Sequence, residues 1–139
     1  MTLETLMRRD VVTAAPETGV VEIAASMAEE NVGSVVVTEE GEPVGVVTDR
    51  DLATQVVGDG AAPADVTAGD VMTADPATAP ASAGLYQLTE MLQAASVRRM
   101  PVVDDGRLVG IITLDDVNQL VVDELANLGA VIEAESPPY

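Results

Sequence analysis

Two short stretches carry residue types that could do chemistry, and they are one stretch written twice. Gly45-Val46-Val47-Thr48-Asp49-Arg50-Asp51 reads as a strand running into a helix start, and Gly110-Ile111-Ile112-Thr113-Leu114-Asp115-Asp116 repeats it. In each, a threonine is followed three residues later by an aspartate: Thr48 with Asp51, Thr113 with Asp116. That spacing has two readings. A Ser or Thr followed at the third position by an acid is the reciprocal capping box of a helix N-terminus, which needs no ligand. The same start, with free N–H groups and a hydroxyl, is also an anion site, and the neighbouring carboxylate can accept from a sugar diol. Phosphate plus ribose means a nucleotide.

The elements that must position these residues repeat as well. The offset of 65 residues also carries Met7 onto Met72, Thr13 onto Thr78, Gly19 onto Gly84, Val37 onto Val102 and Gly41 onto Gly106 without a gap. A register that long marks a repeated unit. The 139 residues therefore divide into a first repeat at 1–60, a linker at 61–68, a second repeat at 69–130 and a tail at 131–139. The small residues and breakers from Gly58 to Asp65 mark the linker,.

Within the first repeat, Leu3 to Met7 predicts a helical turn and Val11-Val12-Thr13 a short strand ended by Pro16. Val20, Ile23, Ala24 and Met27 recur at helical spacing, with Asn31 and Gly33 as stop signals,. Residues 34 to 38 and 43 to 48 read as a hairpin, and Asp49 to Val57 as the closing helix. The second repeat follows the same order: a strand near Thr78, Leu85, Leu88, Leu92 and Ala95 on a helix, strands at 100–103 and 108–112, and a helix from Asp115. Asp105-Gly106 is a tight-hairpin signal. Pro101 suits a first or edge position of its strand rather than a central one. Glu133 to Tyr139 reads as a frayed tail.

Glycine, two apolar residues, Thr or Ser, two variable residues and Asp or Asn: this pattern, present twice and each time preceded by an apolar strand (Ser34-Val35-Val36-Val37 and Met100-Pro101-Val102-Val103), resembles the signature of the CBS domain. The resemblance covers about Leu3 to Leu128. It implies an α+β fold of tandem CBS domains, each with a small mixed sheet and two helices, packed about a pseudo-twofold axis. It also implies an adenosine-containing ligand in clefts between the repeats: AMP, ADP or ATP, and less readily S-adenosylmethionine or NAD. In the family, backbone groups beside the first and second strands read the base, which by position implicates Thr13, Val35, Thr78 and Met100. CBS pairs commonly form disc-shaped dimers, so a homodimer is expected, together with an effector carried on another chain.

Composition narrows the alternatives. The net charge of −18 comes from 24 acids against six arginines, with no lysine. Such a surface repels nucleic acid and anionic membrane. It resembles the proteins of salt-loving archaea, with a lysine-poor, GC-rich bacterium as the alternative source. Without cysteine there is no disulfide or thiolate, and without histidine the commonest general base and metal ligand are missing,. No carboxylate pair is tied to a base or nucleophile, so no catalytic residue and no metal site is assigned and an enzyme is not expected. The start of the chain lacks the pattern of a signal peptide and no window has the length of a membrane span, so a cytoplasmic protein is expected.

In so acidic a chain, the few cations are informative. Arg50 lies inside the first signature, and Arg98 and Arg99 precede the second apolar strand; these three are the candidates for phosphate, while Arg107 reads as a surface residue. Arg50 corresponds to Asp115, and Gly33-Ser34 to Arg98-Arg99, so each repeat lacks a cation the other has. With no Phe or Trp, a base would lie between aliphatic walls such as Val12, Val35, Ala77 and Met100. The apolar excess around 20–28 and 117–128 is the candidate dimer contact. A ligand-free assembly module, its Thr/Asp pairs acting only as caps, is the competing function.

Overall fold

The structure, a computed structural model, describes residues 1–138. Each half is organised on a hairpin. In the first, β2 (Ser34–Glu39) pairs antiparallel with β3 (Glu42–Thr48), and in the second, β6 (Arg99–Asp104) pairs with β7 (Arg107–Thr113). The four residues of the two-residue turns Glu40-Gly41 and Asp105-Gly106 have positive φ (51° and 82°, 51° and 77°). That is the mirror-image turn whose twist matches the strands. Both hairpins are one or two residues longer than their apolar runs suggest, because backbone pairing continues to the turn itself.

A short parallel strand flanks each hairpin, β1 (Thr13–Ala14) beside β2 and β5 (Ala79–Pro80) beside β6. A parallel neighbour needs a crossover. The crossovers are α2 (Val20–Glu30), burying Val20, Ile23 and Met27, and α5 (Leu85–Ala95), burying Leu88 and Leu92. Asn31 and Ser96 end them in the left-handed region, at φ 53° and 54°.

The first hairpin leads into α3 (Asp49–Asp51), which widens into π-helical turns over Leu52–Val57 instead of the regular helix predicted there. Gly58 permits the tight exit, since a Cβ there would lie 2.5 Å from the Thr54 carbonyl oxygen. The second hairpin leads into α6, which runs 22 residues from Leu114 to Glu135. The predicted tail from 131 is therefore helical to Glu135, where Ser136 donates its hydroxyl to the Ile132 carbonyl at 2.8 Å. The last residue of that predicted tail, Tyr139, lies outside the described residues.

The two halves exchange their leading arms. The N-terminal turn α1 (Leu3–Leu6) buries Leu3 in the second core, with Met7, Leu88, Met100, Val102 and Ile112. Arg8 adds a two-way backbone bridge to Ile111 at 2.9 Å. Reciprocally α4 (Ala68–Val71) packs with Val20, Ile23, Val35 and Val47 in the first core, and β4 (Thr73–Ala74) extends that sheet as its fourth strand. Sequence repeats and packing units are thus offset by one arm. Burying Leu3 alone contributes about 1.5–3 kcal/mol.

The arms explain the glycines of the signature. A Cβ on Gly110 would come 2.5 Å from the Met7 sulfur, and Gly45 meets Met72 in the same way. Pro101 is not at an edge: it sits third in β6, the middle strand of β5-β6-β7, fully buried opposite Ile111. The sheet accommodates it because its missing donor faces only the short β5. There β5 begins at Ala79, whereas β1 already pairs at Thr13, the counterpart of residue 78.

Candidate functional site

Two clefts of about 660 and 540 Å³ lie between the halves, within the range of small-molecule sites, about 300–1,000 Å³. Each takes its threonine from one half and its opposite wall from the other. The larger joins Thr113, Ile111 and Asp115 to Val11, Val12, Gly33 and Ser34. The smaller joins Thr48, Val46 and Arg50 to Pro76, Ala77, Arg98 and Pro101. Arg99 borders both, donating through Nη1 to the Gly33 carbonyl at 2.9 Å.

The threonines sit where strand becomes helix, and both capping boxes are complete. Thr48 Oγ1 accepts from the Asp51 N–H at 3.2 Å, and Asp51 Oδ2 accepts from the Thr48 N–H at 2.8 Å. Thr113 Oγ1 accepts from the Asp116 N–H at 3.2 Å and donates to Asp116 Oδ2 at 2.8 Å. Because the carboxylates turn back onto their own caps, Asp51 and Asp116 stand behind the cleft walls while Thr48 and Thr113 line them.

The remaining oxygens differ. Asp116 Oδ1 receives Arg8 twice, from Nη2 at 2.6 Å and Nε at 3.1 Å. Burial pushes the Asp116 carboxyl up, but the hydrogen bonds from Arg8 and Thr113 outweigh it and hold the group below the usual carboxylate range,. The Arg8 guanidinium is raised in turn, first by its hydrogen bond to Asp116. At the matching position of the smaller cleft stands Thr73, and among the described residues Asp51 Oδ1 has only Gln55 Nε2 at 3.4 Å.

Charge separates the clefts further. Glu30, Gly33 and Asp115 of the larger cleft are matched by Ala95, Arg98 and Arg50 in the smaller. Arg50, Arg98 and Arg99 therefore converge on the Thr48 cleft, opposed by Asp49 and Asp75. In the larger cleft Arg8, Arg9 and Arg99 face Asp10, Glu30 and Asp115. Arg98 also approaches Asp115 at 3.6 Å, but both side chains are exposed, so this pair contributes little,.

A backbone difference accompanies the charges. The Val36 N–H donates to the Val12 carbonyl at 3.0 Å along the wall of the larger cleft. Pro101 occupies the position of Val36 and has no N–H, so the Ala77 carbonyl in the smaller cleft lacks that donor,.

The four positions expected to read a base through their backbone groups are not among the lining residues of either cleft. Val35 and Met100 are buried in the two cores, 1% and 0% exposed. Strand alternation instead turns their neighbours Ser34, Arg99 and Pro101 to the clefts. Thr13 and Thr78 lie one residue past the walls, which are formed by Val12 and Ala77. The sequence reading missed Arg8 as the partner of Asp116, since it lies 108 residues away on an arm that matches either half equally well. Among the described residues no cluster of three His, Cys, Asp or Glu could hold a metal ion, and no helix is long and apolar enough to cross a membrane.

The model of the CBS domain family matches residues 3–58 and 68–123. An uncharacterized protein of Methanopyrus kandleri is 41% identical over 115 residues, 81% of this chain; the chain spans 59% of that relative's length. A CBS-domain-containing protein from Agrobacterium tumefaciens superposes with a TM-score of 0.76 at 33% identity, covering 86% of this chain and 98% of that one. The CBS domain pair of protein MJ0100, solved with methylthioadenosine and S-adenosylmethionine, superposes at 0.79 with 23% identity, covering 89% and 98%. Two copies of the signature, two hairpin-centred halves and the matched model together place the chain in the CBS domain family, as a tandem pair.

Proposed function

We propose that this chain is a cytoplasmic regulatory module, not an enzyme, and that its Thr48 cleft binds an adenosine nucleotide. The convergence of Arg50, Arg98 and Arg99 on that cleft carries the reading. In a chain of −18, three of six cations at one threonine-capped helix start meet phosphate oxygens, AMP, ADP or ATP being the ligands that use them best,. Asp51 stands behind the wall in this structure, but its lightly engaged Oδ1 is free to turn into the cleft and accept from the ribose, and the Ala77 carbonyl accepts from an amino group on the base. The ligand pair in the related MJ0100 structure supports an adenosine moiety, and S-adenosylmethionine or NAD remains a less favoured occupant.

The larger cleft is the weaker phosphate site, because Asp115 and Glu30 line it and Arg8 is committed to Asp116. Ligand binding alters the packing between halves, which a homodimer relays to an effector on another chain. The acidic surface suits concentrated salt and disfavours nucleic acid. The complete capping boxes favour one competing reading, a ligand-free assembly module.

Calorimetric titration with AMP and ATP in multimolar KCl tests the proposal, with Asp51→Asn and Asp116→Asn alongside. Asp51→Asn should weaken binding about 10- to 100-fold, from the roughly 1.5–3 kcal/mol of a charge-assisted hydrogen bond. Asp116→Asn should change it little. Absence of heat with any adenosine compound would leave the assembly reading standing.

A further inference from the structure

Among the described residues, Arg99 alone lines both clefts. Strand register puts it there. In β6 it lies directly opposite Thr113 of β7, so the two side chains share the face that walls the larger cleft,. Its length then carries the guanidinium across the boundary between the halves, to donate from Nη1 to the Gly33 carbonyl. Gly33 keeps that crossing open, since a Cβ there would press on Asp49 Oδ2 at 3.2 Å and touch Nη1 at 3.6 Å. The first half makes no return crossing. Ser34 holds the equivalent place opposite Thr48 and carries no charge, and the Arg98 carbonyl, equivalent to that of Gly33, accepts from the Leu114 N–H alone among the described residues.

One crossing cation must therefore serve two clefts. A guanidinium is permanently charged and only donates. With Nη1 turned to Gly33, the edge formed by Nε and Nη2 is left for a bidentate bond, and that edge pairs with one phosphate,. Charge sharpens the choice. In the Thr48 cleft, Arg99 makes three arginines against Asp49 and Asp75; without it two face two. In the larger cleft Arg8 is committed to Asp116, so without Arg99 only the exposed Arg9 would face Asp10, Glu30 and Asp115.

We propose that Arg99 makes the two clefts alternatives for phosphate, so that one chain holds one phosphate-bearing nucleotide at a time, in the Thr48 cleft. This rests on the nucleotide reading above and adds to it the stoichiometry and the residue that sets it. A phosphate bound beside Thr48 turns the Arg99 fork toward itself and leaves the larger cleft acidic.

Calorimetric titration of the full chain with ATP in multimolar KCl should saturate at one ATP per chain. Ser34→Arg gives the first half the cation that Arg99 gives the second, and should raise the stoichiometry to two. Arg99→Gln should weaken ATP about 10-fold more than it weakens adenosine, whereas looser packing between the halves would weaken both alike. Two equivalent ATP sites on the wild type, one on Ser34→Arg, or equal losses for ATP and adenosine in Arg99→Gln would overturn the sharing and leave nucleotide binding in place. No heat with ATP from the wild type or Ser34→Arg would overturn the nucleotide reading, and the sharing with it.

Discussion

The Arg8–Asp116 pair offers a measurable test of how the arm is held. Arg8 reaches one carboxylate oxygen with two nitrogens, and the Asp116 side chain is 20% exposed while that of Arg8 is 66% exposed. A hydrogen bond to a charged group contributes roughly 1.5–3 kcal/mol when well buried. The exposure of Arg8 screens it toward the surface-pair range of about 0.2–1 kcal/mol, so the coupling should be close to 1 kcal/mol. For a chain of this size that is a shift of about 3–5 °C in Tm.

A double-mutant cycle with Arg8→Ala, Asp116→Asn and both isolates the coupling from the cap, which the aspartate replacement also disturbs. The pH dependence has a definite sign. The folded Asp116 carboxyl lies below its unfolded value, so its contribution is complete above the unfolded value of about 3.9 and disappears as pH falls through the depressed folded value. Coupling should therefore be flat from pH 5 to 8 and shrink below pH 4. A coupling indistinguishable from zero at pH 7, or one undiminished at pH 3, would refute the reasoning.

Three further outcomes follow from the structure. Thermal stability should climb from dilute buffer to multimolar KCl, since screening shortens to about 3 Å at 1 M and relieves the self-repulsion of a −18 chain,; a flat Tm would remove the halophilic reading. Gly110→Ala should destabilise by about 1–3 kcal/mol through the Met7 sulfur,, and Met7→Ala in the same chain should recover part of that; denaturant midpoints measure both. Arg50→Ala should weaken ATP more than AMP, because it removes a cation that the larger cleft lacks; equal loss for both ligands in titration would place the phosphates elsewhere.

How far the sequence could be read depended on whether the cause was local. Thr48 with Asp51 and Thr113 with Asp116 were legible because a capping box is contained in four residues. The hairpin turns were legible because Gly41 and Gly106 meet a backbone requirement. Cleft walls depend on strand parity: one residue separates buried Val35 from cleft-lining Ser34, and Met100 from Arg99. The arms could not be assigned, since Leu3 to Arg8 and Ala68 to Thr73 stand in the same register and suit either half. Pro101 was misplaced because a middle strand normally needs its donor, whereas here the neighbouring β5 simply starts later.

The crossed arms give the molecule an unexpected line of mechanical connection. Whatever grips the first residues holds Leu3, Met7 and Arg8, and through them the core and cleft of the far half, not the near one. A domain fused ahead of Met1 would tug on Thr113 and Asp116 before it disturbed Thr48. Likewise, cutting the chain at residue 60 would not yield two small proteins, since each fragment would keep the other's plug: one would lack Val71 and Met72, the other Leu3 and Met7. Mixed back together, the two pieces should find each other as complementary parts of one lock.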